Sequence, residues 1–159
     1  VQDSPVYKDL ITELGGTPVV VSYVKVNDAF RNGEIDGAEN NLPSYVSSGH
    51  YKHARYYSMD EHSSVPEILL MSKKAWDGLT SEQQKAALTA ADESSVLMKK
   101  LWAESEAQAL AQAKKEGVTI LEKHQVYVSG IETYATKLYS KYLTSGEDLG
   151  VVLGIVNSR

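Results

Sequence analysis

The sequence predicts an α/β fold, because helical and extended segments alternate along most of the chain. Two amphipathic helical segments and two short extended segments alternate before residue 40, an order typical of layered α/β proteins. Apolar residues make up 42% of the 159 residues and charged residues 23%, close to the globular average. The chain therefore has enough apolar side chains to bury a core, and disorder is disfavoured.

The first elements are separated by glycines and polar residues. Residues 6–14 are predicted to form a helix, which two consecutive glycines end. Residues 17–24 are apolar and β-branched, which predicts a buried strand. A short helix over residues 26–32 and a short strand or turn over residues 34–39 complete this part of the prediction.

The middle of the chain is predicted to contain loops and shorter elements. Residues 40–44 contain two asparagines and a proline, which favour a loop. A helix is predicted over residues 45–53 and a strand over residues 54–59. Residues 66–72 are predicted to be a second strand, with its proline at the start, where it disturbs pairing least.

A capping box predicts the start of a long helix. Thr80 and Gln83 have the spacing at which each side chain bonds the other's backbone N–H, and a helical pattern follows over residues 81–116. At 1.5 Å per residue this helix would span roughly 50 Å, against a radius of gyration of roughly 15 Å for a compact domain of this size. The helix therefore either kinks or belongs to a larger body. Three further elements are predicted: a strand over residues 118–121 and helices over residues 128–143 and 147–156.

Composition disfavours several classes of function. The chain has no cysteine, which removes disulfide scaffolds, thiol catalysis and cysteine-based zinc sites. Its net charge is −5, whereas a generic nucleic-acid-binding protein is basic. No apolar run approaches the ~18 residues of a membrane span. Neither a glycine-rich nucleotide motif nor a serine-nucleophile motif occurs in the sequence.

Three local patterns each allow a structural and a functional interpretation. His50 and His53 are predicted to be a surface pair rather than a metal site, since no carboxylate follows on the next helical turn. Glu61 and His62 could form an acid/base couple, although adjacent residues in a strand point to opposite faces. The polar segment 36–43 is either a plain turn or a ligand-binding loop at a strand-to-helix junction.

The segment NDAFRNGEIDGAENNLPSY, residues 27–45, resembles the signature stretch of TRAP-type solute-binding proteins. These are the periplasmic receptors of tripartite ATP-independent transporters for organic acids. Residues 1–19 and 57–86 are similar to further segments of the same family, namely its strand–helix–glycine turn and its crossover strand with the helix start that follows. The resemblance covers most of residues 1–116 and is weaker in the C-terminal third.

The resemblance implies a two-lobed, periplasmic-binding-protein-like fold, of which this chain would form one lobe, crossover segments and the long helix. Residues 1–159 would be the C-terminal portion, with the N-terminal lobe absent. The implied function is capture of an organic acid anion in the periplasm and its delivery to the membrane subunits of a TRAP transporter. The expected partners are that ligand, those subunits and the missing N-terminal half; no catalysis, metal, cofactor or nucleic acid is implied.

The resemblance also assigns candidate ligand-binding residues. Asn40 matches the family's ligand-binding asparagine, and Gln2 lies beside the position of a family arginine that pairs with the ligand carboxylate. The other candidates are expected to form the wall of the cleft or to accept hydrogen bonds from the ligand: Asn41, Ser44, Tyr45, Glu67 and His62. The stretch VQDSP resembles members that bind sugar acids such as uronates, with C4-dicarboxylates as the next class.

Two other functions stay open from the residues themselves. The first is a hydrolytic enzyme on an α/β scaffold that uses Glu61 and His62. The second is a helix-mediated interaction module built on residues 81–116, which would expose apolar surface for a partner to cover.

Overall fold

The computed structural model of the chain describes residues 1–65 and 67–156. Within these ranges the chain forms two short strands, seven α-helices and three short 3-10 helices. The strands are β1 (Tyr56–Ser58) and β2 (Thr119–Leu121), which pair in parallel with Tyr56 opposite Thr119. The α-helices are α1 (Pro5–Glu13), α2 (Val26–Arg31), α3 (Leu42–Ser47), α4 (Lys73–Asp77), α5 (Ser81–Lys115), α6 (Val128–Tyr142) and α7 (Gly146–Val156).

The main buried cluster lies where α3 packs against the C-terminal end of α5. Ala109 and Ala113 lie four residues apart, so they occupy one face of α5, and their small side chains let α3 approach closely. Tyr57 of β1 packs against the same cluster. The cluster consists of Leu42, Tyr45, Ala109, Ala113 and Val118. This packing places the residues that precede α3 beside the β1 strand.

A second contact joins the two ends of the chain. Leu10 of α1 and Leu138 of α6 are both buried. Lys137 Nζ lies 2.9 Å from Glu13 Oε2, and both Lys141 and Tyr142 hydrogen-bond the carboxylate of Asp9. The structure confirms six of the predicted elements to within two residues at each end. They are the helices over 6–14, 26–32, 128–143 and 147–156 and the strands over 54–59 and 118–121.

The long helix is confirmed as α5, which ends at Lys115. Its capping box is complete: Gln83 N donates to Thr80 Oγ1 at 3.2 Å, and Thr80 N donates to Gln83 Oε1 at 2.9 Å. Most of its larger apolar side chains are nevertheless exposed, and Leu97 is 55% exposed. In the described part of the chain, no helix combines the length and apolar character needed to span a membrane.

The prediction of a buried strand over residues 17–24 is wrong. Residues 17–22 form no strand, Tyr23–Lys25 is a 3-10 helix, and Val19, Val20 and Val24 are exposed. The Val1 ammonium donates to Val19 O at 2.9 Å, and Val21 N donates to Val1 O at 3.2 Å. A β-branched run forms a strand where neighbouring strands cover it. Among the described residues, Val1 alone provides such backbone pairing.

The prediction of a strand over residues 66–72 is also wrong for its described part, and Pro66 lies outside the described residues. Residues 67–72 have no strand partner in the described ranges, and Leu69 and Leu70 are 78% and 82% exposed.

The predicted boundary between a loop at 40–44 and a helix at 45–53 is misplaced as well. Helix α3 starts earlier because Asn41 caps it and Pro43 suits its first turn.

Candidate functional site

The Asn40 loop, residues 39–41, leads into α3 and is tied to β1. The Tyr57 hydroxyl donates a hydrogen bond of 2.9 Å to the backbone oxygen of Asn40. The side chain of Asn40 is half-buried, and its Oδ1 accepts from Asn41 N at 2.9 Å. Within the described residues nothing accepts a hydrogen bond from Asn40 Nδ2. One amide donor therefore stays available in a loop whose backbone is held in place.

The neighbouring candidates Asn41, Ser44 and Tyr45 have structural partners. Asn41 Oδ1 accepts from Ser44 N at 2.9 Å and so caps α3. Tyr45 is only 5% exposed, and its hydroxyl donates to Ala54 O at 2.6 Å. Burial raises the pKa of Tyr45. The ring of Tyr45 therefore lies behind the Asn40 loop, in the core.

His62 is held between two carboxylates. Its Nδ1 lies 2.7 Å from Asp60 Oδ1, and its Nε2 lies 3.9 Å from Glu39 Oε2. The hydrogen bond with Asp60, followed by the interaction with Glu39, raises the pKa of His62 to about 9. Burial opposes ionisation of Asp60, yet the hydrogen bond and charge of His62 outweigh it and lower the Asp60 pKa. At neutral pH the ring is therefore an imidazolium between two carboxylates.

Tyr57 links this charged group to the Asn40 loop. Burial raises its pKa to about 12, and the negative charges of Asp60, Glu106 and Glu39 act in the same direction. The hydroxyl therefore stays protonated through the physiological range and remains a donor to Asn40 O.

Two of the candidate ligand-binding residues, Gln2 and Glu67, do not join the group around Asn40 and His62. Gln2 is exposed, and its backbone oxygen accepts from Ser4 N at 2.8 Å. Glu67 is exposed in the extended segment before α4. Within the described residues, neither of these side chains forms a hydrogen bond or ion pair with Asn40 or His62. Asn40, Asn41, Ser44 and Tyr45 lie in one stretch, and His62 reaches it through Glu39.

Glu39, Tyr57 and Asp60 are functional candidates that the sequence reasoning missed. Asp60 had a local signal, because an Asp side chain can accept a hydrogen bond from the backbone N–H two residues later in the chain. Asp60 Oδ1 accepts such a bond from His62 N at 3.3 Å. Glu39 and Tyr57 had none, because their partners are distant in sequence.

The two histidine patterns that the sequence analysis weighed, His50 with His53 and Glu61 with His62, have the following surroundings in the structure. His50 is 3% exposed and makes edge contacts with the rings of Tyr23 and Phe30, so the prediction of a surface pair is wrong for His50. Burial lowers its pKa. Glu61 pairs with Lys123, whereas His62 pairs with Asp60.

Two surface depressions lie outside the seven candidate residues. One of about 340 Å³ lies between α3 and α5 and is lined in part by Pro43, Ser47, Gln108 and Gln112. The other, of about 470 Å³, lies along α5 at Asp92, Glu93, Val96, Leu97 and Lys100. The Asn40 loop lines neither of these two depressions.

Comparison with known proteins shows that the chain is similar to bacterial solute-binding proteins. The profile of the DctP family, described as bacterial extracellular solute-binding protein, family 7, matches residues 1–145. A solute-binding protein of Chromohalobacter salexigens is 38% identical over 122 residues, which are 77% of this chain and 36% of that protein. The chain therefore spans about a third of the length of this curated relative.

Solved structures agree with this match. A TRAP periplasmic solute-binding protein of Chromohalobacter salexigens with bound D-glucuronate superposes with a TM-score of 0.89 and 32% identity, over all of this chain and 52% of that one. One of Xanthobacter autotrophicus Py2 with bound β-D-galacturonate has a TM-score of 0.88 and 32% identity, over 98% of this chain and 51% of that one. These similarities confirm the predicted α/β, periplasmic-binding-protein-like fold class.

Proposed function

This chain belongs to the DctP family of bacterial extracellular solute-binding proteins, and we propose that its protein captures an organic acid anion in the periplasm. The protein would then deliver that anion to the membrane subunits of a TRAP transporter. The observation that carries this proposal is the match over residues 1–145, together with solved neighbours that are TRAP receptors. A binding role also suits the Asn40 loop, which is held in place and whose Nδ2 donates to no acceptor among the described residues.

The ligand that we propose is a sugar acid, with a uronate favoured over a C4-dicarboxylate. Two solved neighbours with 32% identity hold D-glucuronate or β-D-galacturonate. A uronate has several hydroxyl groups beside its carboxylate, so its site needs both donors and acceptors. An asparagine amide supplies both kinds of group.

We assign direct ligand contact first to Asn40, through its Nδ2. Asn41, Ser44, Gln2 and Glu67 are proposed as wall or acceptor residues around the ligand. Tyr45 would support the wall from behind, because its ring is buried and its hydroxyl bonds Ala54 O.

We further propose that residues 1–159 are the C-terminal portion of the receptor and that an N-terminal half supplies the opposite wall of the cleft. The chain spans about half of the solved neighbours. Apolar side chains of α5 and of the segment before α4 are exposed, and Leu70 and Val96 are 82% and 72% exposed. A second body packed there would remove this surface from water.

Titration calorimetry on the full-length protein tests the function. We expect D-glucuronate or D-galacturonate to bind, with succinate weaker, and mass spectrometry to recover the bound acid unchanged. Asn40→Ala should weaken binding at least tenfold, about 1.4 kcal/mol. Asn32→Ala, whose amide bonds Glu34 in an exposed turn, is the control and should bind like the parent protein. Binding of C4-dicarboxylates alone would overturn the uronate assignment, and binding of no organic acid would overturn the function.

A further inference from the structure

A cluster of three charged side chains connects the Asn40 loop to the chain that leaves β1. We call Glu39, Asp60 and His62 the imidazolium cluster. His62 Nδ1 lies 2.7 Å from Asp60 Oδ1, and His62 Nε2 lies 3.9 Å from Glu39 Oε2. Glu39 immediately precedes Asn40, and Asp60 lies two residues beyond the end of β1. The cluster therefore spans the two segments through a single ring.

Both ring nitrogens of His62 are directed at protein carboxylates. Nε2 is buried and has no partner within hydrogen-bond distance in the described residues; Glu39 is the carboxylate that it faces. A ligand would have to displace Asp60 or Glu39 to reach either nitrogen. The geometry is that of a bridge between segments rather than of a free hydrogen-bond donor.

The backbone beside the ring is constrained as well. Glu61 has φ of +51°, in the left-handed region that non-glycine residues rarely adopt. Its neighbours hold this conformation, since Asp60 Oδ1 also accepts from His62 N at 3.3 Å, and the Glu61 side chain pairs with Lys123. Surrounding contacts of this kind are needed to keep a strained residue in place.

We propose that His62 is a positioning residue for ligand binding, which acts by holding Glu39, and with it the Asn40 loop, against the end of β1. The Tyr57 hydroxyl fixes the backbone oxygen of Asn40 from the same strand. His62 and Tyr57 together therefore restrain the loop on both sides of its peptide. This inference rests on the proposed function, because it concerns the affinity of the same site.

The charges around the ring determine how the bridge depends on pH. Asp60 and Glu61 lie on the same segment as His62, and Glu39 faces the His62 ring from the Asn40 loop. The charge of Glu106 in α5 acts on the adjoining Tyr57. Lys123 forms an ion pair with Glu61 and so offsets its charge. The cationic form of His62 makes the bridge. It is therefore present at neutral pH and lost as the pH rises through the pKa of about 9.

A double-mutant cycle on the full-length protein, with D-glucuronate as the probe, tests this role. His62→Gln and Glu39→Gln should each weaken binding about tenfold at pH 7. Neither should weaken it further in an Asn40→Ala background, because both act through Asn40. The parent affinity should fall between pH 8 and 10, whereas that of His62→Gln should stay flat. The exposed His124→Gln is the control and should match the parent at every pH.

A ligand-free measurement separates failure of this inference from failure of the proposed function. In NMR titrations of the parent protein, the Asn40 and Asn41 amide signals should shift with the midpoint of the His62 ring, and these shifts should vanish in His62→Gln. If no acid binds but the shifts occur, the function fails and the bridge stands. The bridge would be overturned by a His62 titration midpoint near 6.5 or by amide signals that do not follow that midpoint. It would also be overturned if the affinity losses of His62→Gln or Glu39→Gln added to the loss of Asn40→Ala.

Discussion

Individual polar side chains around the Asn40 loop divide into those that support the backbone and those that remain available to a ligand. The Asn41 carboxamide caps α3, and the Tyr45 and Tyr57 hydroxyls donate to backbone oxygens. Among the residues that the structure describes, nothing accepts a hydrogen bond from Asn40 Nδ2. Single substitutions can therefore separate stability from ligand affinity at neighbouring positions.

Asn41→Ala should lower the free energy of unfolding by about 0.5–2 kcal/mol, because the Ser44 N–H at the start of α3 loses its acceptor. Urea denaturation of the ligand-free protein measures this. Asn41→Ser keeps a capping oxygen and should stay within a few tenths of a kcal/mol of the parent. Equal losses in both variants would show that the cap does not stabilise α3.

Tyr57→Phe should weaken ligand binding, because the Asn40 backbone oxygen loses the hydroxyl that holds it. Tyr45→Phe is the matched comparison, since it also removes one hydroxyl from the same aromatic cluster. We expect it to lower stability by about 1–3 kcal/mol, through the unpaired Ala54 oxygen, and to change affinity less. Calorimetry and denaturation of both variants check this; a larger affinity loss in Tyr45→Phe would contradict it.

Stability should decline in alkaline solution through His62. Its folded-state pKa, about 9, is raised above the ordinary 6.5, so its contribution is complete below about pH 6.5 and lost as the pH rises through 9. His62→Gln should cost about 1.5–3 kcal/mol at pH 6 and much less at pH 10. Urea denaturation across this range measures the difference, and a constant difference would contradict the assignment.

At the scale of elements, α5 consists of two contrasting parts. Near its C-terminal end, Ala109 and Ala113 are buried against α3, whereas Val96, Leu97 and Leu101 farther back are exposed. A periodic apolar stripe therefore indicates only that one face is apolar. Whether that face is covered depends on which other elements are present.

Ala113→Leu should destabilise the protein by about 1–3 kcal/mol, because Ala113 is fully buried at the contact between α3 and α5 and a larger side chain there overpacks the core. Ala111→Leu, on the exposed face of the same helix, is the control for helix propensity and should have little effect. Thermal or urea denaturation compares the two. Equal stabilities would contradict close packing of α3 on α5.

At the scale of the whole molecule, the described residues contain a small core and a large exposed apolar surface. The exposed side chains Ile68, Leu69 and Leu70 precede α4, and α5 adds Val96 and Leu97. Exposed apolar surface of this extent is typical of an interface. This exposure supports our proposal that residues 1–159 are part of a larger receptor and form one wall of its cleft.

If our proposal holds, the 159-residue chain by itself should bind an apolar fluorescent dye strongly, because its apolar surface is exposed. It should bind D-glucuronate poorly, because the proposed N-terminal half supplies the opposite wall of the cleft. The full-length protein should show the reverse. Dye fluorescence and calorimetry on both proteins measure this. Micromolar binding of D-glucuronate by the 159-residue chain alone would contradict the assignment of a two-walled cleft.

The sequence by itself determined most of the helices and the family. Helix boundaries such as the Thr80 capping box and the end of α5 depend on residues a few positions apart, so local pattern is sufficient. The family follows from a long match in order and spacing. The candidate Asn40 follows from that match, and its role as a ligand contact stays a prediction.

Only the tertiary structure decided which side chains lie beside Asn40. Tyr57 reaches Asn40, and His62 reaches Glu39, because the packing of α3 on α5 brings the loop beside β1. The predicted strands over 17–24 and 66–72 did not form in the described residues, because no neighbouring strand there covers them. A strand and a positioned side chain both depend on partners distant in sequence, and local patterns do not contain the distances between them.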